Sequence, residues 1–197
     1  MSATHVSTSP LTKERWEDVI ALFGTRGDPS WCWCQFFHDT GHAPRRTADQ
    51  NRADLHSQVT TGATPPGLLA YAGDEPVGWV QVGPRTAYRR LCESRALAEV
   101  TGDDLHDDQV WAVTCFVVKV GRRRLGISTR LLAAAVEFAA GHGARVLEGH
   151  PVDVAARPSG RAPGAELYHG VATTFAAAGF TEVGRTSPAR PVMRLSL

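Results

Sequence analysis

The chain has no apolar run approaching the ~18 residues that cross a bilayer, which excludes a helical membrane span. It has no imbalance of charge: 21 Lys and Arg stand against 20 Asp and Glu, a formal net charge of +1. A polyanion therefore meets no general attraction, and any basic site must be local. Cysteine is scarce. The four residues Cys32, Cys34, Cys92 and Cys115 are too irregularly spaced for a disulfide framework and read as reduced thiols. The opening stretch MSATHVSTSPLTKERW lacks the basic start and apolar core of a secretory signal. These absences predict a cytoplasmic protein with neither nucleic acid nor membrane as partner.

What is present is ordinary globular material, 43% hydrophobic and 21% charged, and 197 residues are most simply one domain, 1–197. No segment repeats. A strand over His5 to Ser9 is stopped by Pro10, and Thr12 then caps a helix, KERWEDVIALFG, with Trp16, Ile20 and Phe23 on one face. A second helix runs from Thr47 to Val59. LLAYAGDEPVGWVQVG reads as a hairpin, and a helical connection spans Ala87 to Ala98. Trp111 to Val118 is apolar on both faces, as a central strand would be. After Gly126 the spacing of Leu131, Leu132, Ala135, Val136 and Ala139 is helical. ARVLEGHP is a short strand, Tyr168 to Ala178 a helix, and FTEVGR and PVMRLSL are closing strands. The order is mixed α/β, of the α+β kind.

The stretch between central strand and helix, VGRRRLGIS, is basic and punctuated by glycine. Unpaired N–H groups at a helix start, approached through glycine, suit a phosphate. Gly121, Gly126 and Ser128 have P-loop spacing, but Ile127 stands where the P-loop lysine must reach the β and γ phosphates. The alternative frame is Arg123-x-x-Gly126-x-Ser128. It resembles the R/Q-x-x-G-x-G/A signature of the GNAT superfamily of acyl-CoA-dependent N-acetyltransferases. The flanking strand and helix, ARVLEGHP and the terminal FAAAGFTEVGR follow that family's order, so the likeness covers about Gly67 to Leu197. Ser128 replaces the usual small Gly or Ala.

The resemblance implies a central mixed, mostly antiparallel sheet flanked by helices, with acetyl-CoA as cosubstrate. Its pyrophosphate would lie on the amides and side chains around Arg123, Arg124, Gly126, Ile127 and Ser128, and its pantetheine arm along Phe116, Val117 and Val118. The acceptor would be a primary amine, most simply of a small molecule, attacking in a ternary complex; a protein amine is the other acceptor to consider. A homodimer is common among such enzymes. An amine attacks only as the free base, so a proton acceptor is required. Glu148 is the first candidate and His150 the second. Asp107 and Asp108 could attract a cationic amine. The family often has a tyrosine four residues before the terminal Gly-Phe pair to protonate the leaving thiolate. Phe175 stands there, which motivates a second hypothesis: an acyl-CoA-binding module that has lost turnover.

SWCWCQFFHD is unusual in composition. Cys32, Cys34 and His38 lack a second pair at zinc-site spacing, so no metal is expected. Trp31, Trp33, Phe36 and Phe37 line something apolar, either the core or the acceptor pocket, with Trp31, Trp33 and Phe37 the candidates for the pocket; Cys115 reads as a packing residue, and direct transfer needs no acyl-cysteine.

Overall fold

Almost every side chain from Val110 to Val118 is shielded on both faces, and this strand, β4, is the centre of a seven-stranded sheet. The computed structural model describes residues 6–40 and 46–197, so His5 of the expected first strand lies outside the described residues. The sheet order is β1-β2-β3-β4-β5-β7-β6, from Val6–Pro10, Gly67–Ala72, Glu75–Pro84, Val110–Val118, Val146–Gly149, Thr181–Ser187 (β6) and Arg190–Ser196 (β7). Only β4 and β5 run parallel; every other pairing is antiparallel.

Helices cover both faces. α6 (Ile127–Gly141) lays its stripe of Ile127, Leu131, Leu132, Ala135 and Ala139 on one face, against Val80, Val113 and Leu147. Each fully buried leucine there is worth about 1.5–3 kcal/mol of transfer free energy. The other face carries α1 (Trp16–Phe23), α2 (Asp28–Cys32) and α3 (Ala48–Thr61), with Val19, Phe23 and Leu55 packed on Leu69 and Trp79. Thr47 caps α3 in a capping box with Gln50. The expected connection over Ala87 to Ala98 is two short helices, α4 (Arg89–Cys92) and α5 (Arg95–Thr101).

Two expectations need correction. The Thr12 side chain makes no cap to α1; its carbonyl closes a 3-10 turn at Lys13–Arg15, and the helix proper starts at Trp16. The helix expected from Tyr168 to Ala178 is broken into a 3-10 segment, Gly164–His169, and α7 (Ala172–Ala177). Gly170 is the break. Its φ is +80°, in the left-handed region, and a Cβ there would lie 2.9 Å from the Phe175 ring. The break turns Tyr168 and His169 away from the helix axis and toward β4. Replacing Gly170 with alanine is expected to cost about 1–2 kcal/mol from the backbone alone, read as a lower Tm.

Candidate active site

Two features of β4 open the site. First, Gln81 pairs with Cys115 and Val82 with Val113, so Thr114 is an extra residue, a bulge. The bulge reverses the alternation: Trp111 and Val113 face α6, but beyond it Phe116 does. Cys115 and Val117 consequently face the α1–α3 side. Second, β5 pairs with β4 only as far as Val113↔Gly149, and Pro151 follows, which has no N–H to continue a ladder. From Thr114 to Val118 the β5-side edge of β4 therefore has no strand beside it, and the Gly164–His169 segment crosses the gap.

A cavity of roughly 630 Å³ lies on the α6 side of this gap. Phe116 and Val118 line it together with Arg123, Arg124, Gly126, Ile127 and Ser128, seven of the eight residues expected to hold the cosubstrate. Gly126 is the N-cap of α6 at φ +76°, a conformation that turns the chain sharply from loop into helix. Arg122 is committed to Glu75 at 2.5 Å, whereas no ion pair is recorded for Arg123 or Arg124 among the described residues. Unpaired amides, the positive end of a fifteen-residue helix and two guanidinium groups at one cavity wall fit a pyrophosphate.

Val117, the eighth, points the other way, into a second cavity of roughly 390 Å³ with Trp31, Phe37 and Cys115. Trp33 does not join them. It is 4% exposed, stacked on Trp16 and 5.3 Å from the Phe23 ring, because Trp33 and Cys34 both adopt positive φ (46° and 54°) at the end of α2 and turn the ring into the core. Burial pushes the Cys32 thiol up to about 11, with Cys34 adding to it. Cys34 is also raised well above its ordinary value, by its hydrogen bond with Cys115 and then by burial. Both are therefore protonated lining groups.

The two cavities meet. Asp28, Ala165 and Tyr168 line both. Burial and then the charge of Asp28 raise the Tyr168 pKa, so its hydroxyl keeps its proton. Beside it, His169 Nδ1 lies 3.1 Å from the Thr114 carbonyl, which can only accept, so Nδ1 carries the proton and donates. The Nε2 lone pair is then the basic atom of a ring that lines the second cavity. Burial, followed by the nearby Arg190 charge, lowers the His169 pKa to about 4, leaving the imidazole neutral at physiological pH.

Glu148 is elsewhere. It is fully buried on β5, with Oε2 2.8 Å from Arg194 Nε and 3.3 Å from Arg85 Nη1, and lines neither cavity. Burial alone would raise its pKa, but His150 and Arg194 outweigh it and hold the carboxyl at about 2. His150 lies past the end of β5, with Nε2 3.0 Å from Glu148 Oε1, and lines a third cavity behind Phe36 and Phe37. Asp107 is paired to Arg145 at 3.3 Å, Asp103 bridges Arg85 and Arg194, and Asp108 lines neither of the two cavities. Phe175 is in the core, edge-on to Phe116 and Phe180. Among the described residues no three His, Cys, Asp or Glu are grouped to hold a metal, and no helix is long and apolar enough to cross a membrane.

The profile of the acetyltransferase (GNAT) family matches residues 29–158, two-thirds of the chain. This protein belongs to the GNAT family. A GCN5-related N-acetyltransferase from Kribbella flavida is 14% identical over 98% of each chain, with a TM-score of 0.56. The GNAT domain of PAT from S. lividans is 16% identical over 98% of this chain and 90% of its own, at 0.57. The PaiA N-acetyltransferase of Thermoplasma acidophilum, solved in complex with coenzyme A, is 10% identical over 98% and 99%, at 0.52. At these identities the likeness is one of fold, and the sheet of mixed, mostly antiparallel strands is the GNAT sheet. Curated protein sequences gave no match.

Proposed function

We propose that this single-domain GNAT protein transfers the acetyl group of acetyl-CoA directly to the primary amine of a small molecule. The observation that carries the reading is the meeting of the two cavities at Asp28, Ala165 and Tyr168, beside the unpaired stretch of β4. A thioester reaching from the phosphate loop along Phe116 and Val118 arrives at this junction, and an amine in the second cavity arrives from the opposite side.

The base in this reading is His169 rather than Glu148. As the C–N bond forms, His169 Nε2 takes the proton from the attacking nitrogen. As the C–S bond breaks, the Tyr168 hydroxyl gives its proton to the sulfur and later regains one from His169 through water. Backbone N–H groups on the open edge of β4 suit the oxyanion; one such donor is worth about 3–4 kcal/mol in other acyl transfers. Tyr168 supplies the hydroxyl that Phe175 cannot, so the loss-of-turnover hypothesis loses its motive.

Acceptor-dependent release of free CoA thiol from acetyl-CoA tests the proposal; tight CoA binding with no release for any amine would overturn it. Replacing Arg123 and Arg124 together by alanine is expected to weaken acetyl-CoA binding at least about tenfold in calorimetry, since charge-assisted contacts are worth about 1.5–3 kcal/mol each.

A further inference from the structure

The acceptor cavity says more about the amine than that it is one. Its walls are Trp31, Phe36, Phe37, Val117 and the thiol side chains, and two of the rings, Trp31 and Phe36, are 46% and 50% exposed at its edge. Large rings left half in water beside an apolar hollow mark a surface that a ligand completes.

Apart from the Tyr168 hydroxyl and His169 Nε2 at the reacting end, its polar groups are few and most are engaged. Thr114 Oγ1 donates to Gln81 Oε1 at 2.8 Å, and Gln81 Nε2 lies 3.1 Å from His38 Nε2. Of the two carboxylates in the lining, Glu166 is held between Arg157 and Arg190. Asp28 is the other, and no ion pair is recorded for it among the described residues. One unmatched carboxylate suits one ammonium. The acidic loop of Asp103 to Asp108 offers a polycation nothing here, because it lines no part of this cavity, and two of its carboxylates, Asp103 and Asp107, are already paired to Arg85, Arg194 and Arg145. Second and third ammonium groups, or the hydroxyls of a sugar, would be stripped of water without replacement partners.

We infer that the acceptor is a monoamine with an apolar, ring-sized body, an arylalkylamine or branched alkylamine, its body among Trp31, Phe36 and Phe37 and its nitrogen beside Asp28 at the junction of the cavities. This rests on the transferase reading above. Thiol release is measured with 2-phenylethylamine, 3-methylbutylamine, spermidine, kanamycin and lysine. The first two are expected to exceed the others in kcat/KM by at least about tenfold. Phe37→Ala is expected to raise KM for 2-phenylethylamine about tenfold with kcat little changed, as loss of apolar contact made equally in ground and transition states. Should that variant fail to fold, Trp31→Ala at the cavity edge reads the same direction. A polyamine, aminoglycoside or amino acid as best acceptor overturns the inference, as does an unchanged KM in the folded ring variant. If no amine releases thiol, titration of 2-phenylethylamine into the protein with acetyl-CoA present decides. Saturable binding weakened by the ring variant upholds the pocket while the transferase reading fails; no binding defeats both.

Discussion

Replacing Glu148 with glutamine is expected to destabilise the protein by about 3–5 kcal/mol, a fall in Tm of roughly 6–20 °C, while the folded variant keeps turnover within a few-fold of wild type. The carboxylate is fully buried and faces two guanidinium groups, one of them, Arg85, itself fully buried. Glutamine is nearly isosteric but neutral. It leaves Arg85 with two backbone carbonyls and an Asp103 carboxylate 3.8 Å away, so a buried positive charge loses its closest counter-charge. Glu148 pairs with Ala112 on one side and Arg194 on the other, one residue before β4 and β5 part, and its ion pairs tie β5 to β7 and to the turn that follows β3 where the cleft begins. The pH dependence follows from the same carboxyl. Its folded pKa is about 2 against an ordinary 4.5, so between these values the unfolded chain binds a proton that the folded chain does not. The stabilisation is complete above about pH 4.5 and is lost as pH falls through 2, and denaturant titrations should show that part of the acid slope missing from the glutamine variant. Loss of turnover in a fully folded Glu148→Gln protein would restore the glutamate as base.

How much of this could be read from the chain depends on sequence distance. The loop proposed to hold the phosphate was legible as a turn because strand end, glycine turn and helix start are contiguous, and Gly126 and the α6 stripe express local backbone and period. Glu148 was visible as a carboxylate near the divergence of two strands, but its partners Arg85 and Arg194 lie 63 and 46 positions away, and nothing local distinguishes a buried ion pair from a base. Trp31 and Trp33 stand in one aromatic segment that the sequence leaves open between core and acceptor pocket, and the left-handed turn at Trp33 and Cys34 sends them to different places. Phe116 and Val118 separated from Val117 as alternation requires, yet which side each would face depended on the Thr114 bulge, a property of pairing with β3. His169 was missed altogether. The role proposed for it rests on a carbonyl 55 positions earlier, left without a β5 partner because that strand stops short. The one local signal was Gly170, which interrupts what reads as a continuous helix and releases the Tyr168–His169 pair from it.

That pair carries the largest kinetic expectation. Replacing His169 with alanine should lower kcat by about 10²–10⁴, the usual contribution of a positioned proton acceptor, with acetyl-CoA affinity unchanged because the ring does not line the phosphate cavity. A pH profile separates this from a structural role. An ordinary histidine, titrating near 6.5, would be progressively protonated below that pH and add a second unit of slope to log kcat/KM, on top of the unit contributed by protonation of the acceptor amine. With a folded pKa of about 4, His169 stays a neutral acceptor down to about pH 5, so the wild-type profile should keep unit slope from the amine's own pKa down to that point. The partly buried, neutral ring also has a consequence for stability. Between pH 6.5 and 4 the unfolded chain binds a proton at this position and the folded chain does not, so in wild type stability is lost as pH is lowered from 6.5 through 4, and His169→Ala should flatten that slope. A variant that flattens the stability slope but turns over normally would leave His169 as a wall of the cavity and return the search for a base to Asp28, the remaining acceptor at the junction.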